Sequence, residues 1–191
     1  MVIGITGGSG SGKSYIAQKF VAYNFNIVDA DKIAKDIMKT DNSLKEKIAE
    51  TFGDSLIVDG EVDRKALGKI VFADENKLKT LNKLTHPAIL NEIKKQIREH
   101  DKVILDAPLL LEAGLTKYCD YTVSVIADTD VRIQRMMDRD GIDYDTAMNR
   151  IKRQLSDDEY LDNTDYCILN NGKTHINSII KTIIEDTSNN K

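Results

Sequence analysis

The residues best equipped for chemistry come first in the chain, in GITGGSGSGKSY at positions 4–15. Gly7, Gly12, Lys13 and Ser14 fit G-x-x-x-x-G-K-[ST] without a mismatch. Glycines at 7, 8, 10 and 12 admit backbone conformations that a Cβ forbids. The amides from Gly8 through Ser9, Gly10, Ser11 and Gly12 can then converge on anionic oxygens. A helix opening directly after the loop adds roughly half a positive charge at the same spot. Lys13 is suited to bridging β- and γ-phosphates, and the Ser14 hydroxyl to coordinating Mg²⁺. A nucleoside triphosphate is the expected ligand.

A phosphoryl acceptor needs a carboxylate beside the γ-phosphate. IVDADKIAKD supplies Asp29 and Asp31, two apart, which in extended backbone would project to one side. Asp31 has a second reading, as the N-cap of the following helix. Asp106 ends an apolar run and can serve Mg²⁺ through its waters, or simply close a strand; Glu112 lies nearby in DAPLLLE. Arg132, Arg135 and Arg139 fall three and four apart, one stripe on a helix, and arginine forks suit phosphate oxygens. Asp138, Asp140, Asp143 and Asp145 crowd the same stretch, so a solvated, self-paired face is the competing expectation. His86 precedes Pro87, where it could pack or cap; His100 and His175 read as surface residues. Guanine recognition by Asn-Lys-x-Asp is missing: Asn76-Lys77-Leu78-Lys79 and Asn82-Lys83-Leu84-Thr85 both lack the final acid.

These groups need a scaffold, and the apolar pattern supplies one. Five short runs, Val2–Thr6, Asn26–Asp29, Lys102–Asp106, Tyr121–Ala127 and Tyr166–Leu169, are nearly continuous in hydrophobicity, as in strands covered on both faces. Helical stretches separate them, which predicts an α/β fold with a parallel sheet. Ile176, Ile179, Ile180, Ile183 and Ile184 mark the apolar stripe of a last helix. Asp63 and Asp74 occupy N-cap positions, Ser156 with Glu159 forms a capping box, and Pro87 suits the first turn of a helix running to about His100. The alternation lapses between Asp31 and Lys102, apart from a turn in VDGEVD, so an inserted helical substrate region is expected. The charged stretch from about Arg135 to Ser156 reads as a mobile lid. The division is a core of residues 1–36, 102–134 and 156–191, a helical substrate region at 37–101 and a lid at 135–155. The polar TSNNK end reads as a frayed tail.

At 191 residues, 41% hydrophobic and 30% charged, with a net charge of −4, the chain has the make-up of a globular protein with one good core. The acidic balance argues against nucleic-acid or membrane-surface binding, which gains its energy from a basic face. Cys119 and Cys167 lie outside metal spacing and read as small core residues in a reduced, cytoplasmic protein. No leader and no long apolar run is recognised, and no obligate protein partner is evident.

In order along the chain, GITGGSGSGKS, IVDADKIA, VDRKALGKIVF, HPAI, DAPLLLEAG and NNG resemble the dephospho-CoA kinases, a P-loop kinase family. The resemblance runs from the first strand to Asn170-Asn171-Gly172. It implies a three-layer P-loop NTPase fold, ATP and Mg²⁺ as cofactors, and dephospho-CoA as the small-molecule substrate. The implied reaction phosphorylates the ribose 3′-hydroxyl, giving CoA and ADP, the last step of coenzyme A biosynthesis. It implies Asp31 as catalytic base, with Lys13 and the lid arginine Arg139 acting on the phosphates. It also implies Arg64, His86, Asp106 and Leu110 along the acceptor site, Ser14 and Asp106 at the metal, and Asn170 and Gly172 near the nucleotide base. Tyr160, in DDEYLDN, departs from the basic residue many relatives carry there. Two rivals stay open on sequence: a P-loop kinase for a nucleoside monophosphate or small alcohol, and a regulator that binds ATP without transferring phosphate.

Overall fold

The computed structural model describes residues 1–172 and 175–189. The chain divides into two compact units, one of residues 1–28 and 99–191, the other of residues 29–98.

The first unit is built on a five-stranded parallel sheet: β1 (Val2–Thr6), β2 (Asn26–Asp29), β5 (Val103–Asp106), β6 (Tyr121–Ile126) and β7 (Tyr166–Leu169), in the order β2-β5-β1-β6-β7. β1 is central, with Ile3 level with Ile104 on one side and Ile5 level with Val123 on the other. Its side chains alternate. Ile3 and Ile5 join Ile16, Ala17 and Phe20 of α1 (Lys13–Phe20) and Ile176, Ile180 and Ile183 of α9 (Ile176–Asn189) in one buried cluster. Gly4 points the other way, where a Cβ would come 2.6 Å from Cys119 Sγ and 2.8 Å from Leu110 Cδ2. Only glycine lets those side chains pack onto the central strand. Three further helices belong to this unit: α6 (Thr129–Asp140), α7 (Tyr144–Lys152) and α8 (Asp157–Asp162). α6 and α7 share a small core of Ile133, Met136 and Ala147. The expected capping box is present at α8, Ser156 and Glu159 bonding reciprocally. The five expected strands are all found, two of them one residue shorter. The expected frayed end is overturned for Thr187–Asn189, which continue α9 with Thr187 buried; Asn190 and Lys191 lie outside the described residues.

The second unit is helical: α2 (Ala30–Thr40), α3 (Asn42–Phe52), α4 (Arg64–Phe72) and α5 (Glu75–Arg98). Each begins at an aspartate whose carboxylate accepts from backbone amides: Asp29, Asp41, Asp63 and Asp74. Such caps are worth about 1 kcal/mol each. A two-residue hairpin, β3 (Ile57–Val58) with β4 (Glu61–Val62), turns at Asp59-Gly60, both at positive φ. That is the Asp-Gly turn the sequence signals. Leu44, Ile48, Leu56, Val62, Leu67 and Val71 form the core. One expectation fails here. Pro87 does not open a helix but lies inside α5. Leu78, Leu81 and Leu84 pack into the core before it and Ile93 is buried after it, so burial along the whole helix outweighs the missing amide hydrogen bond.

Candidate active site

The loop between β1 and α1 takes the shape its glycines permit. Gly10 and Gly12 have φ of 79° and 85°, and a Cβ on either would strike a neighbour: the Arg132 backbone, 2.8 Å away at Cα, for Gly10, and the Asn170 amide for Gly12. At the loop's exit, Lys13 Nζ forms an ion pair with Asp106 Oδ1, and Ser14 Oγ donates to Asp106 Oδ2 at 3.3 Å. Asp106 ends β5, which pairs with β1, so the sheet register itself delivers the carboxylate to the lysine. It is 5% exposed, and these two donors satisfy it. A lysine ammonium, a hydroxyl and a carboxylate thus meet at the amino end of a helix. This set can neutralise a polyphosphate and offer hard oxygen donors to a divalent cation. No group of three or more His, Cys, Asp or Glu side chains stands ready for a metal among the described residues, so an ion here would draw on Ser14, Asp106, water and phosphate oxygens.

The expectation of a solvated, self-paired arginine face is overturned for two of its members. Arg132 is 4% exposed and donates from Nε to the Ser9 carbonyl at 3.0 Å. Arg135 donates from Nη1 to the carbonyls of Gly10 and Ser11 and from Nη2 to that of Asn170. Both grip the loop by its carbonyl oxygens. Burial lowers the Arg132 pKa from its usual range, and Asp157, 3.8 Å away, opposes the shift. Arg139, a turn further along α6, behaves as expected of a surface residue. It is bound bidentately to Asp140, which Arg150 of α7 also contacts at 2.6 Å. The Arg139 and Arg150 hydrogen bonds bring the Asp140 carboxyl down to about 2.

The remaining predicted residues fall in varied places. Asn170 is buried and donates from its side chain to the Ser11 carbonyl at 2.8 Å, so it too holds the loop. Gly172 follows in a left-handed turn. Leu110 is wholly buried against Gly4, a packing position, and Glu112 is exposed. Tyr160 is 2% exposed, and burial pushes its phenol up to about 12, with Glu112 adding to the shift. In the second unit, Asp29 takes the cap of α2, which leaves Asp31 exposed in the first helical turn. The pair is therefore not in extended backbone, as its spacing suggested. Arg64 opens α4 and His86 lies mid-way along α5; both are exposed, and neither they nor Asp31 have a side-chain hydrogen bond or ion pair among the described residues. His100 and His175 are exposed as expected. Gln154 was not foreseen. It makes two hydrogen bonds with Ser9 and one with Arg132, and a lone glutamine in a charged stretch carries no motif that would have revealed it.

Comparison with known proteins decides the family. The family model described as dephospho-CoA kinase matches residues 1–175. The chain belongs to the dephospho-CoA kinase family. A dephospho-CoA kinase of Fusobacterium nucleatum is 42% identical over 174 residues, covering 90% of each chain. Among solved structures, a Thermus thermophilus protein superposes with a TM-score of 0.86 at 27% identity, covering 97% of each chain. The dephospho-CoA kinase of Campylobacter jejuni does so with 0.72 at 26%, covering 100% of this chain and 98% of its own. For this kinase, no helix among the described residues is long and apolar enough to cross a membrane.

Proposed function

We propose that the kinase moves the γ-phosphoryl group of ATP to the ribose 3′-hydroxyl of dephospho-CoA, releasing ADP and CoA. The family match over residues 1–175, joined to a complete Lys13–Ser14–Asp106 constellation, carries this reading. The 3′ oxygen forms its bond to the γ-phosphorus as the bond to the β,γ-bridging oxygen breaks. Asp31 orients the hydroxyl and accepts its proton late. Its support is that Asp29 performs the capping, so the Asp31 carboxylate is not engaged locally. Lys13 leaves Asp106 for the phosphate oxygens, and the loop amides hold the β-phosphate. Ser14 and Asp106 would hold Mg²⁺, which when bound neutralises charge on the β- and γ-phosphates. The transition state is loose, so position and charge matter more than base strength.

Arg64 and His86 bind the acceptor within the helical region, both side chains being exposed and without a hydrogen bond or ion pair among the described residues. Arg139 exchanges Asp140 for the nucleotide phosphates when the expected lid, narrowed to the residues between the loop-holding Arg135 and Gln154, closes and excludes water from the γ-phosphate. Gly172 lies in the segment that faces the base. A coupled ADP-release assay with dephospho-CoA, shikimate and nucleoside monophosphates tests the assignment. Turnover with dephospho-CoA should exceed the others by orders of magnitude; equal rates across the panel would overturn it.

A further inference from the structure

Ser9 sits at the crest of the phosphate loop, and every polar group it has is taken. Its amide donates to Gln154 Oε1 at 3.0 Å, its hydroxyl accepts from Gln154 Nε2 at 2.9 Å, and its carbonyl accepts from Arg132 Nε at 3.0 Å. Gln154 Oε1 also accepts from Arg132 Nη2 at 2.8 Å, so half-buried glutamine and buried arginine form one fork around a single residue. The two partners come from far along the chain: Gln154 lies between the end of α7 and the start of α8, and Arg132 lies in the first half of α6. A primary amide is the side chain that fits, since it must accept twice and donate once from one planar group.

The peptide plane gives this fork a consequence. In a trans peptide, the carbonyl of one residue and the amide hydrogen of the next point to opposite edges. Holding the Ser9 carbonyl against Arg132 therefore turns the Gly10 N–H away from α6. Arg135 and Asn170 do the same at Ser11, turning away the Gly12 N–H. With the Ser9 and Ser11 carbonyls so held, the Gly10 and Gly12 amides are left for an anion, an arrangement the loop would otherwise have to form at the moment of binding. Gly8 admits the fork because a Cβ there would overlap the Arg132 guanidinium.

We propose that Gln154 is a positioning residue for the nucleotide: it presets Ser9, and through Ser9 the loop amides, and it ties the loop to the end of the α6–α7 pair. The proposal rests on the reading of this loop as the ATP site. It does not depend on the acceptor. Gln154→Ala should raise the KM for ATP about tenfold while the KM for dephospho-CoA stays within about twofold and kcat within about threefold. Calorimetric titration of ADP into the full-length protein, with no acceptor present, should show a matching loss of affinity. Ser9→Ala deletes one bond of the fork, so Gln154→Ala should cost clearly less ADP affinity in the Ser9→Ala background than in the wild type. If alanine impairs folding, Gln154→Met keeps the bulk and serves the same comparison. A purely structural residue would instead lower the melting temperature and leave both KM values alone. That outcome, proportional changes in both KM values, additive losses with Ser9→Ala, or a wild type that fails to bind ADP would overturn the proposal. A wild type that binds ADP but ignores dephospho-CoA would remove the acceptor assignment while leaving the Gln154 comparison valid.

Discussion

Replacing Asp106 by asparagine tests the centre of the site, because the same carboxylate holds Lys13 and Ser14. Asparagine keeps the shape and one oxygen acceptor but removes the charge. The Lys13 side chain is 11% exposed and that of Asp106 6%, so water does little to screen the change. Removing one member of a buried pair costs about 3–5 kcal/mol. The remaining amide oxygen can still accept from the lysine, which places the loss near the lower edge, about 3 kcal/mol. For a chain of this length each kcal/mol moves the melting temperature by about 2–4 °C, so the nucleotide-free variant should melt roughly 6–12 °C lower. Bound nucleotide gives Lys13 another anion. The stabilisation on adding saturating ADP should therefore be larger in Asp106→Asn than in wild type, while Mg²⁺-dependent turnover falls by more than tenfold. Scanning calorimetry with and without ADP reads the melting temperature and the stabilisation, and a coupled ADP-release assay reads the turnover. A melting temperature within 2 °C of wild type, or equal stabilisation by ADP in the two proteins, would show that the pair does not hold the lysine as described.

Other expectations follow from the same geometry. Asp31→Asn should lower kcat on the order of 10²–10⁴-fold with ADP affinity intact, measured by steady-state kinetics and calorimetry; near-normal turnover would remove Asp31 from the chemistry. Arg64→Ala should raise the KM for dephospho-CoA about tenfold with a smaller effect on ATP, and an unchanged acceptor KM would take Arg64 out of the site. Asp140 is depressed to about 2 by Arg139 and Arg150, from an ordinary 3.8. Its link between α6 and α7 is therefore complete above about pH 4 and is lost as pH falls through 2. Hydrogen exchange of residues 135–152 should accelerate in that window for wild type, with less acceleration in Asp140→Asn; identical profiles would discount the link.

The sequence disclosed whatever rests on local rules. The loop motif, the strands, the isoleucine stripe of α9 and the Asp63, Asp74 and Ser156 caps depend on residues a few positions apart, and all are found. Non-local competition decided the rest. Pro87 reads as a helix start because of its ring, but a helix packed along its whole length tolerates it. The pattern offers Asp31 as a cap, and only the onset of helix at Ala30 gives that role to Asp29. The arginine stripe was legible as a stripe, but whether a cation meets solvent, a carboxylate or a carbonyl depends on what α6 faces. Gln154 contacts a residue 145 positions away and left no trace in any window.

The α6 arginines bear on how such a loop can bind phosphate at all. A guanidinium aimed straight at the phosphates would bind ATP and ADP alike and would itself need solvation when the site is vacant. Arg132 and Arg135 instead donate to four carbonyls, those of Ser9, Gly10, Ser11 and Asn170, and Arg132 also to Gln154, so both cations are satisfied from within the protein. Their charge still lies behind the cradle, where it favours an anion, and the amides they orient need little rearrangement when that anion arrives. Arg139 is paired instead at the surface with the Asp140 side chain. Three- and four-residue spacing along one helix thus gives two environments: positions 132 and 135 stay against the loop, and position 139 meets a carboxylate at the surface.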